Sequence, residues 1–241
     1  MESRGCVWLA LLDPLVRLEP SLAHRIGVEF STFGPHLATQ TDAELIDIEP
    51  QLYSLRRRKD TDELEMIRQA IAGTQAMYER AREIIEPGIS ELEVFNQLQA
   101  AAVDRFGEML TGTGNDYQCR SPGGAPRAGQ RAADGDLYIL DLGPAFRGYF
   151  ADNCRTIAVS KPTEEQLLAW NHVTAVFEHV EQSVKPGKNA RELFDEAQAM
   201  LDAAPLGTFN HHLGHGFGLF PHEAPHLNPH WDDVFECGDT F

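Results

Sequence analysis

Two aspartates in the middle of the chain have a spacing that could bring their carboxylates together. Asp141 ends an apolar run that begins at Leu137, and Asp152 follows eleven residues later, with a polar step around Gly148 between them. If residues 137–159 fold as a hairpin, the two carboxylates lie opposite each other on adjacent strands, about 5 Å apart. Two ionised carboxylates so close repel each other unless a proton or a cation lies between them. The pair predicts a shared metal ion, and two solvated aspartates on an open hairpin are the alternative.

Histidines are concentrated near the end of the chain, where six of the ten lie between His211 and His230. Imidazole binds first-row divalent metals alongside carboxylates. Glycines flank His215 on both sides, so the backbone can approach a metal centre closely there, and His222 follows seven residues later. We therefore take His215 and His222 as candidate site residues, and a polar loop that happens to be rich in histidine is the alternative.

The sequence predicts four helices in two pairs, each helix opened by a capping residue with Glu or Gln three positions later. The capping pairs are Asp62 with Glu65, Ser90 with Glu93, Thr163 with Gln166, and Asn189 with Glu192. The first helix of each pair is expected to end near a Pro-Gly step. In the second pair that helix carries an apolar stripe at helical spacing. The stripe consists of Leu167, Trp170, Val173, Phe177 and Val180.

The two helix pairs are related by an internal repeat. Residues 87–95 match residues 186–194 at a constant offset of 99, and each pair is followed by a Gly-Asp step that ends at Asp136 or Asp239. The halves are therefore predicted to be copies of one unit. Asp136 leads into a predicted strand, whereas only two residues follow Asp239. We expect the chain to stop as a strand begins, which would leave an exposed sheet edge.

The front of the chain has a different pattern. From residue 7 to about residue 53, short apolar stretches alternate with Gly and Pro, which predicts the strands and turns of an α/β unit. A run of charged residues at 55–60 precedes the first predicted helix and fits a domain boundary, with a solvated face as the alternative. The predicted domains are residues 1–54, a partial N-terminal domain, and residues 55–241.

Composition limits the partners that the chain could have. Its 37 acidic and 20 basic residues give a net charge of -17, which argues against nucleic acid or an anionic membrane as the main partner. The four cysteines form no CxxC pair, which favours a reduced, intracellular setting. The chain has no signal-peptide pattern and no run of 18 apolar residues. These features predict a cytoplasmic protein that does not cross a membrane.

In order and spacing, these motifs resemble the signature of the pita-bread metallopeptidases, which include Xaa-Pro aminopeptidases, Xaa-Pro dipeptidases (prolidases), methionine aminopeptidases and creatinase. The resemblance covers about residues 55–241, and it implies an α+β pita-bread fold with an internal pseudo-two-fold repeat, preceded by a remnant of an α/β N-terminal domain. The residues that carry it are 136–143, 148–152, 155–156, 214–218 and 222–223.

The resemblance implies a role for each matching position. Asp141, Asp152 and His215 correspond to metal ligands of the family. His222 corresponds to the histidine that contacts the substrate and the developing charge of the transition state, and His211 resembles a further histidine on the substrate side. These roles imply two divalent metal ions, of manganese, cobalt, zinc or iron.

The sequence departs from the family pattern in two places. The family's two glutamate ligands have no counterpart, and by the internal repeat the first is expected at about position 244, beyond Phe241. The chain is therefore expected to be shortened at both ends, to hold two metals poorly, and to be inactive alone. The family's other active-site histidine, about a dozen residues ahead of the first Gly-Asp step, is replaced by Gly124, and residues 109–140 contain no histidine.

The front segment favours the Xaa-Pro branch, because methionine aminopeptidases generally lack a preceding α/β domain. The resemblance then implies hydrolysis of the N-terminal peptide bond of small peptides by a hydroxide that bridges two metal ions, in a homodimer. Two alternatives remain open. One is a metal-deficient pita-bread binding protein, and the other is a creatinase-like hydrolase of a small guanidino compound.

Overall fold

The structure is a computed structural model that describes residues 24–29, 34–39, 42–120, 123–205, 209 and 211–241. The chain divides into two compact units, of which the first ends at Leu55 and the second begins at Arg56. Among the described residues, none of the helices is long and apolar enough to cross a membrane.

The first unit contains a pair of short parallel strands. Strand β1 (Arg25–Val28) pairs with β2 (Glu44–Asp47) over their full lengths, and the short helix α1 (Gly34–Ala38) lies between them in the chain. A parallel pair needs such a crossover, so this part is α/β in character, as predicted. Helix α2 (Glu49–Arg57) follows β2. The apolar stretch at residues 7–12, also predicted as a strand, lies outside the described residues.

The second unit contains the two predicted helix pairs. The first pair is α3 (Thr61–Ile84) and α4 (Glu91–Phe106), and the second is α5 (Glu164–Ser183) and α6 (Ala190–Asp202). Capping boxes open α4 at Ser90 with Glu93 and α5 at Thr163 with Gln166, as predicted. Asn189 caps α6 by accepting from two backbone N–H groups.

The predicted start of α3 at Asp62 with Glu65 is wrong by two residues. Asp60 is the capping residue, because its backbone is extended and its carboxylate accepts hydrogen bonds from the backbone N–H groups of Asp62 and Glu63. The Glu63 side chain closes the capping box by accepting from the N–H of Asp60 at 2.8 Å. Asp62 therefore lies within the first turn, where its negative charge interacts favourably with the positive end of the helix dipole.

The chain segment between the two helix pairs forms an antiparallel sheet with β4 (Leu137–Phe146) at its centre. Strand β3 (Gly112–Gln118) pairs along one edge of β4, and β5 (Tyr149–Phe150) and β6 (Asn153–Ala158) pair along the other. One face of the sheet packs against α3 and α4 in the largest hydrophobic cluster. Its fully buried members include Met77, Val94, Leu98, Tyr138, Leu140 and Leu142.

The internal repeat is visible in equivalent backbone hydrogen bonds. In each half, the turn before the second helix pairs with a later segment, and an aspartate side chain accepts a hydrogen bond from a backbone N–H three residues before it. The equivalent bonds are Gly88 N to Ala132 O (2.7 Å) and Gly187 N to Phe235 O (2.8 Å), then Ala133 N to Asp136 Oδ2 and Glu236 N to Asp239 Oδ2 (both 2.7 Å).

The halves differ in how their first helices are covered. The sheet buries one face of α3, whereas the apolar stripe of α5 is largely exposed, with Trp170 at 61% and Phe177 at 52% exposure. Val176 is the residue of α5 that is buried. Val180, at the end of the stripe, is partly buried against a second hydrophobic cluster, and α5 packs mainly on α6.

Candidate functional site

Asp141 lies in the central strand of the sheet, on the face opposite the buried core. Its neighbours Leu140 and Leu142 are fully buried, and because side chains alternate along a strand, Asp141 points away from that core. Its cross-strand partners are Asp116 on β3 and Cys154 on β6.

The predicted direct opposition of Asp141 and Asp152 is wrong. The hairpin turn consists of Arg147 and Gly148, both with positive φ, as in the tight turns that join antiparallel strands. This turn is centred one residue later than direct opposition requires, so Cys154 rather than Asp152 faces Asp141. Asp152 lies two residues before Cys154 and is therefore a diagonal neighbour of Asp141 on the same face, still within reach of its carboxylate.

The two carboxylates meet in a half-buried environment that opposes ionisation. Burial, and then the charge of Asp116, raises the pKa of Asp141. Burial, followed by the charge of Asp141 and a side-chain hydrogen bond with it, raises the pKa of Asp152 to about 6. A proton or a cation between the carboxylates removes this repulsion.

The histidines reach the same place from a second hairpin. Strand β7 (Gly214–Gly216) pairs with β8 (Glu223–Leu227), with an irregularity in register after His215. Gly216 is needed in this hairpin, because a Cβ there would lie 2.2 Å from the carbonyl oxygen of Ala224. The hairpin presents His215 from its first strand and His222 from the turn before its second.

Both imidazoles direct a nitrogen towards Asp152. The Nε2 atoms of His215 and His222 each lie 3.9 Å from Asp152 Oδ2, and the two rings stack with centroids 3.8 Å apart. His215 Nδ1 lies 2.9 Å from the carbonyl oxygen of Gly216, which can only accept, so Nδ1 carries the proton and Nε2 is free to bind a metal. Burial lowers the pKa of both histidines, which favours the neutral imidazole.

Asp152, His215 and His222 offer donor atoms that all lie within 4.8 Å of one another. The separation of 3.9 Å is too long for a hydrogen bond. Two ligands of one ion, each about 2.0–2.2 Å from it, are about 3.3–3.6 Å apart at a tetrahedral angle, so a shift of a few tenths of an ångström would place these atoms around one ion. Carboxylate and imidazole suit divalent first-row metals, so these residues fit a metal ion. Asp141 adjoins the group, because its carboxylate is close enough to Asp152 to raise the pKa of that residue.

His211 is at the margin of this group. Its exposed ring contacts that of His212, with centroids 4.1 Å apart, and its charge lowers the pKa of Asp141. His212 was not selected from the sequence, although its ring contacts His215 and His222 edge-on and burial lowers its pKa to about 4. Its place in the histidine-rich run was the available signal.

Asp116 is a further acidic neighbour that the sequence analysis missed. It faces Asp141 across the sheet, and its Oδ1 accepts a hydrogen bond from the backbone N–H of Gly124 at 3.0 Å. Gly124 is the residue that the resemblance matches to a histidine of the family. The alternation of polar residues 116 and 118 with buried Tyr117 and Cys119 could have indicated this strand.

Tyr78 of α3 joins the backbones of the two aspartate-bearing segments. Its hydroxyl lies 3.0 Å from the carbonyl oxygen of Leu140 and 2.9 Å from that of Asn153, and it can share its proton between them. Leu140 directly precedes Asp141, and Asn153 directly follows Asp152. A single hydroxyl therefore connects α3 to the backbone beside Asp141 and to the backbone beside Asp152.

Comparison with known proteins places this geometry in a family. Residues 65–241 match the model of metallopeptidase family M24. The uncharacterized peptidase YqhT of Bacillus subtilis is 27% identical over 226 residues, with 89% of this chain and 63% of the relative covered. The Xaa-Pro dipeptidase of Pyrococcus horikoshii is 29% identical over 202 residues, with 81% and 56% covered. The chain thus spans less than two thirds of the length of either relative.

Solved structures agree in fold. The prolidase from Pyrococcus furiosus is 26% identical with a TM-score of 0.78, covering 90% of this chain and 66% of that one. The Xaa-Pro dipeptidase from Bacillus anthracis is 28% identical with a TM-score of 0.77, covering 90% and 63%. The X-Pro aminopeptidase from Thermotoga maritima, 24% identical with a TM-score of 0.81 over 95% and 67%, supports the fold alone. The predicted α+β pita-bread fold is confirmed.

Proposed function

Because the chain belongs to metallopeptidase family M24, we propose that it carries part of the dinuclear metal centre of a peptidase that removes the N-terminal residue of Xaa-Pro peptides. Asp141, Asp152 and His215 are the proposed metal ligands. The observation that carries the proposal is the convergence on Asp152, whose carboxylate adjoins Asp141 and lies 3.9 Å from the Nε2 atoms of His215 and His222.

Each residue has a task in this proposal. Two divalent ions of manganese, cobalt, zinc or iron, when bound, would supply an activated water and a polarised scissile carbonyl. Asp141 and Asp152 would bind them as carboxylates, which relieves the repulsion described above. His215 would bind through Nε2 while Gly216 holds its Nδ1 proton. His222, neutral near pH 7, can carry its proton on Nε2 and donate a hydrogen bond to the developing oxyanion, with His211 on the substrate side.

The Xaa-Pro preference rests on the named relatives, which are an Xaa-Pro dipeptidase and a prolidase. The unit that ends at Leu55 supports the same branch, and we propose that residues 1–54 are part of a prolidase-like N-terminal domain and residues 55–241 are catalytic. A cytoplasmic homodimer with a small peptide as substrate completes the proposal. Residues 1–241 offer three of the five ligands that the resemblance implies, so we expect them by themselves to bind metal weakly and to be inactive.

One observation favours a second candidate function, a pita-bread protein that binds peptides without cleaving them. Gly124 stands at the position of a family histidine, and its N–H is engaged by Asp116. A protein without that histidine could retain the peptide site while lacking the group that seats the substrate for reaction.

The test is release of free alanine from Ala-Pro, and from a longer peptide that begins Ala-Pro, by the full-length product of the gene. Asp152→Asn is the test variant, and Asp134→Asn is the control, because Asp134 is an exposed acid in the turn before β4. We expect manganese-dependent release by wild type and the control, and none by Asp152→Asn. Equal release by both variants would overturn the assignment of Asp152, and peptide binding without release would favour the second candidate.

A further inference from the structure

Lys59 and Glu223 form an ion pair that is completely enclosed. Lys59 Nζ lies 2.7 Å from Glu223 Oε2, and each side chain is 2% exposed. A solvated face was the alternative interpretation of the charged run at residues 55–60. That interpretation does not hold for Lys59, because its side chain is buried. Its neighbour Arg58 pairs with Glu236 on the surface, where the Arg58 side chain is 66% exposed.

A buried ion pair of this kind is poorly explained by stability alone. Removing two charges from water opposes folding by about as much as their attraction favours it, and an apolar pair of similar volume is often at least as stable. A buried pair does, however, define one geometry, because any displacement leaves an unpaired charge in the interior. The residues next to the pair therefore indicate which part of the structure it holds in place.

Glu223 directly follows His222 and closes the loop that carries it. While Oε2 binds Lys59, Oε1 accepts a hydrogen bond from the backbone N–H of Phe220 at 3.1 Å. Both carboxylate oxygens are thus engaged. Glu223 therefore joins the Phe220 amide, within the loop of residues 217–222, to Lys59.

The loop is built to enclose Lys59. A Cβ on Gly218 would lie 2.7 Å from Lys59 Cε and 3.0 Å from Glu223 Oε2, so a larger residue would displace the pair. The carbonyl oxygen of Gly218 accepts from the N–H of Phe150 at 2.8 Å, two residues before Asp152. The loop that presents His222 is therefore fixed both to the strand that leads to Asp152 and to the segment that leads into α3.

We propose that Lys59 is a positioning residue, which acts through Glu223 to hold the His222 imidazole against His215 and beside Asp152. The proposal rests on the proposed function for what His222 does, but the geometry stands without it. The His222 side chain is 57% exposed, so the loop that carries it contributes to its place beside the His215 and His212 rings. Breaking the pair should release His222 and leave the rest of the second hairpin in place.

The test is nuclear magnetic resonance of metal-free protein labelled in its histidine and tryptophan rings. The wild-type spectrum should contain a contact between the His215 and His222 rings, stacked at 3.8 Å, and one between His226 and Trp231, stacked at 4.4 Å. In Lys59→Met we expect loss of the first contact and retention of the second. Arg58→Met, with the same charge change one residue away, should retain both, and Lys59→Arg should restore the first.

Two results would overturn the proposal. Lys59→Met could retain the His215–His222 contact at wild-type strength, or it could lose both ring contacts together, which would make the pair a part of the fold rather than a positioning device. If Lys59→Met does not fold, Glu223→Gln is the second variant, since Gln can still accept from Phe220 but cannot form the ion pair. Glu223→Gln should likewise lose the His215–His222 contact and retain the His226–Trp231 contact. Since these spectra need neither metal nor peptide, failure of the proposed hydrolysis would leave them unchanged.

Discussion

At the residue scale, burial and the neighbouring carboxylate of Asp141 act on Asp152 in the same direction, and its pKa rises to about 6. A folded pKa above the unfolded value of about 3.9 means that the folded state binds more protons between these values. The contribution of Asp152 to the stability of the metal-free protein should therefore fall as the pH rises through this window, from about 4 to about 6, and stay lower above it.

Asp152→Asn removes this effect. At pH 7 without metal, we expect the variant to exceed wild type in free energy of unfolding by about 1–3 kcal/mol, and the difference should shrink towards pH 4. Urea unfolding at several pH values with a chelator present measures it, and Asp134→Asn serves as the exposed control. A variant that is less stable than wild type at pH 7 would contradict the repulsion between the carboxylates.

Tyr78 offers a second test at this scale. Tyr78→Phe removes a buried hydroxyl from the carbonyl oxygens of Leu140 and Asn153, which should lower the free energy of unfolding by about 1–2 kcal/mol. Because those carbonyls adjoin Asp141 and Asp152, manganese affinity should fall as well. Tyr117→Phe is the matched control, since its buried hydroxyl contacts Gln99 at 3.4 Å. An equal loss of affinity in both variants, measured by calorimetry, would argue against a specific role.

Asp141 and Asp152 were predictable as neighbours, whereas Asp116 and Tyr78 were not. Spacing alone indicated that Asp141 and Asp152 approach each other, and the structure brings them together as diagonal neighbours. Asp116 and Tyr78 could not be found in the same way, because their contacts depend on which residues face each other across strands. A difference of one residue in the turn changes every such pairing.

At the element scale, the start of α3 can be tested by asking whether Asp60 or Asp62 caps the helix. Asp60 caps the helix and Asp62 lies in its first turn. Asp60→Ala should therefore lower the free energy of unfolding by about 1 kcal/mol. Asp62→Ala should lower it less, through the helix dipole alone. Thermal unfolding of the two variants side by side decides the matter, and a larger effect at Asp62 would restore the start predicted from the sequence.

The existence of the helices was predictable from the sequence, but the elements that pack against each helix were not. Ser90 and Thr163 open helices as their capping pairs indicated, because capping depends on a few adjacent residues. The apolar residues of α5 form a stripe at helical spacing, yet Trp170 and Phe177 are exposed. A stripe indicates that a face is suited to burial, and whether another element covers it is a property of the whole molecule.

At the scale of the molecule, the two copies of the repeat have equivalent backbone hydrogen bonds but contribute different parts of the site. The first copy supplies Asp141 and Asp152 from its sheet, and the second supplies His215 and His222 from its hairpin. The fold was predictable because the repeat and its motifs are specific. The side-chain geometry was not, because it arises where the copies meet and residues far apart in sequence come into contact.

The central claim is that Asp141, Asp152 and His215 bind divalent metal, and calorimetric titration of residues 1–241 with manganese tests it most directly. Wild type and Asp134→Asn should bind with the same affinity, weaker than micromolar because ligands are spread over two incomplete sites, and Asp152→Asn should not bind. Indistinguishable binding by wild type and Asp152→Asn would contradict the ligand assignment. Two sub-micromolar sites in wild type would contradict the account of an incomplete centre.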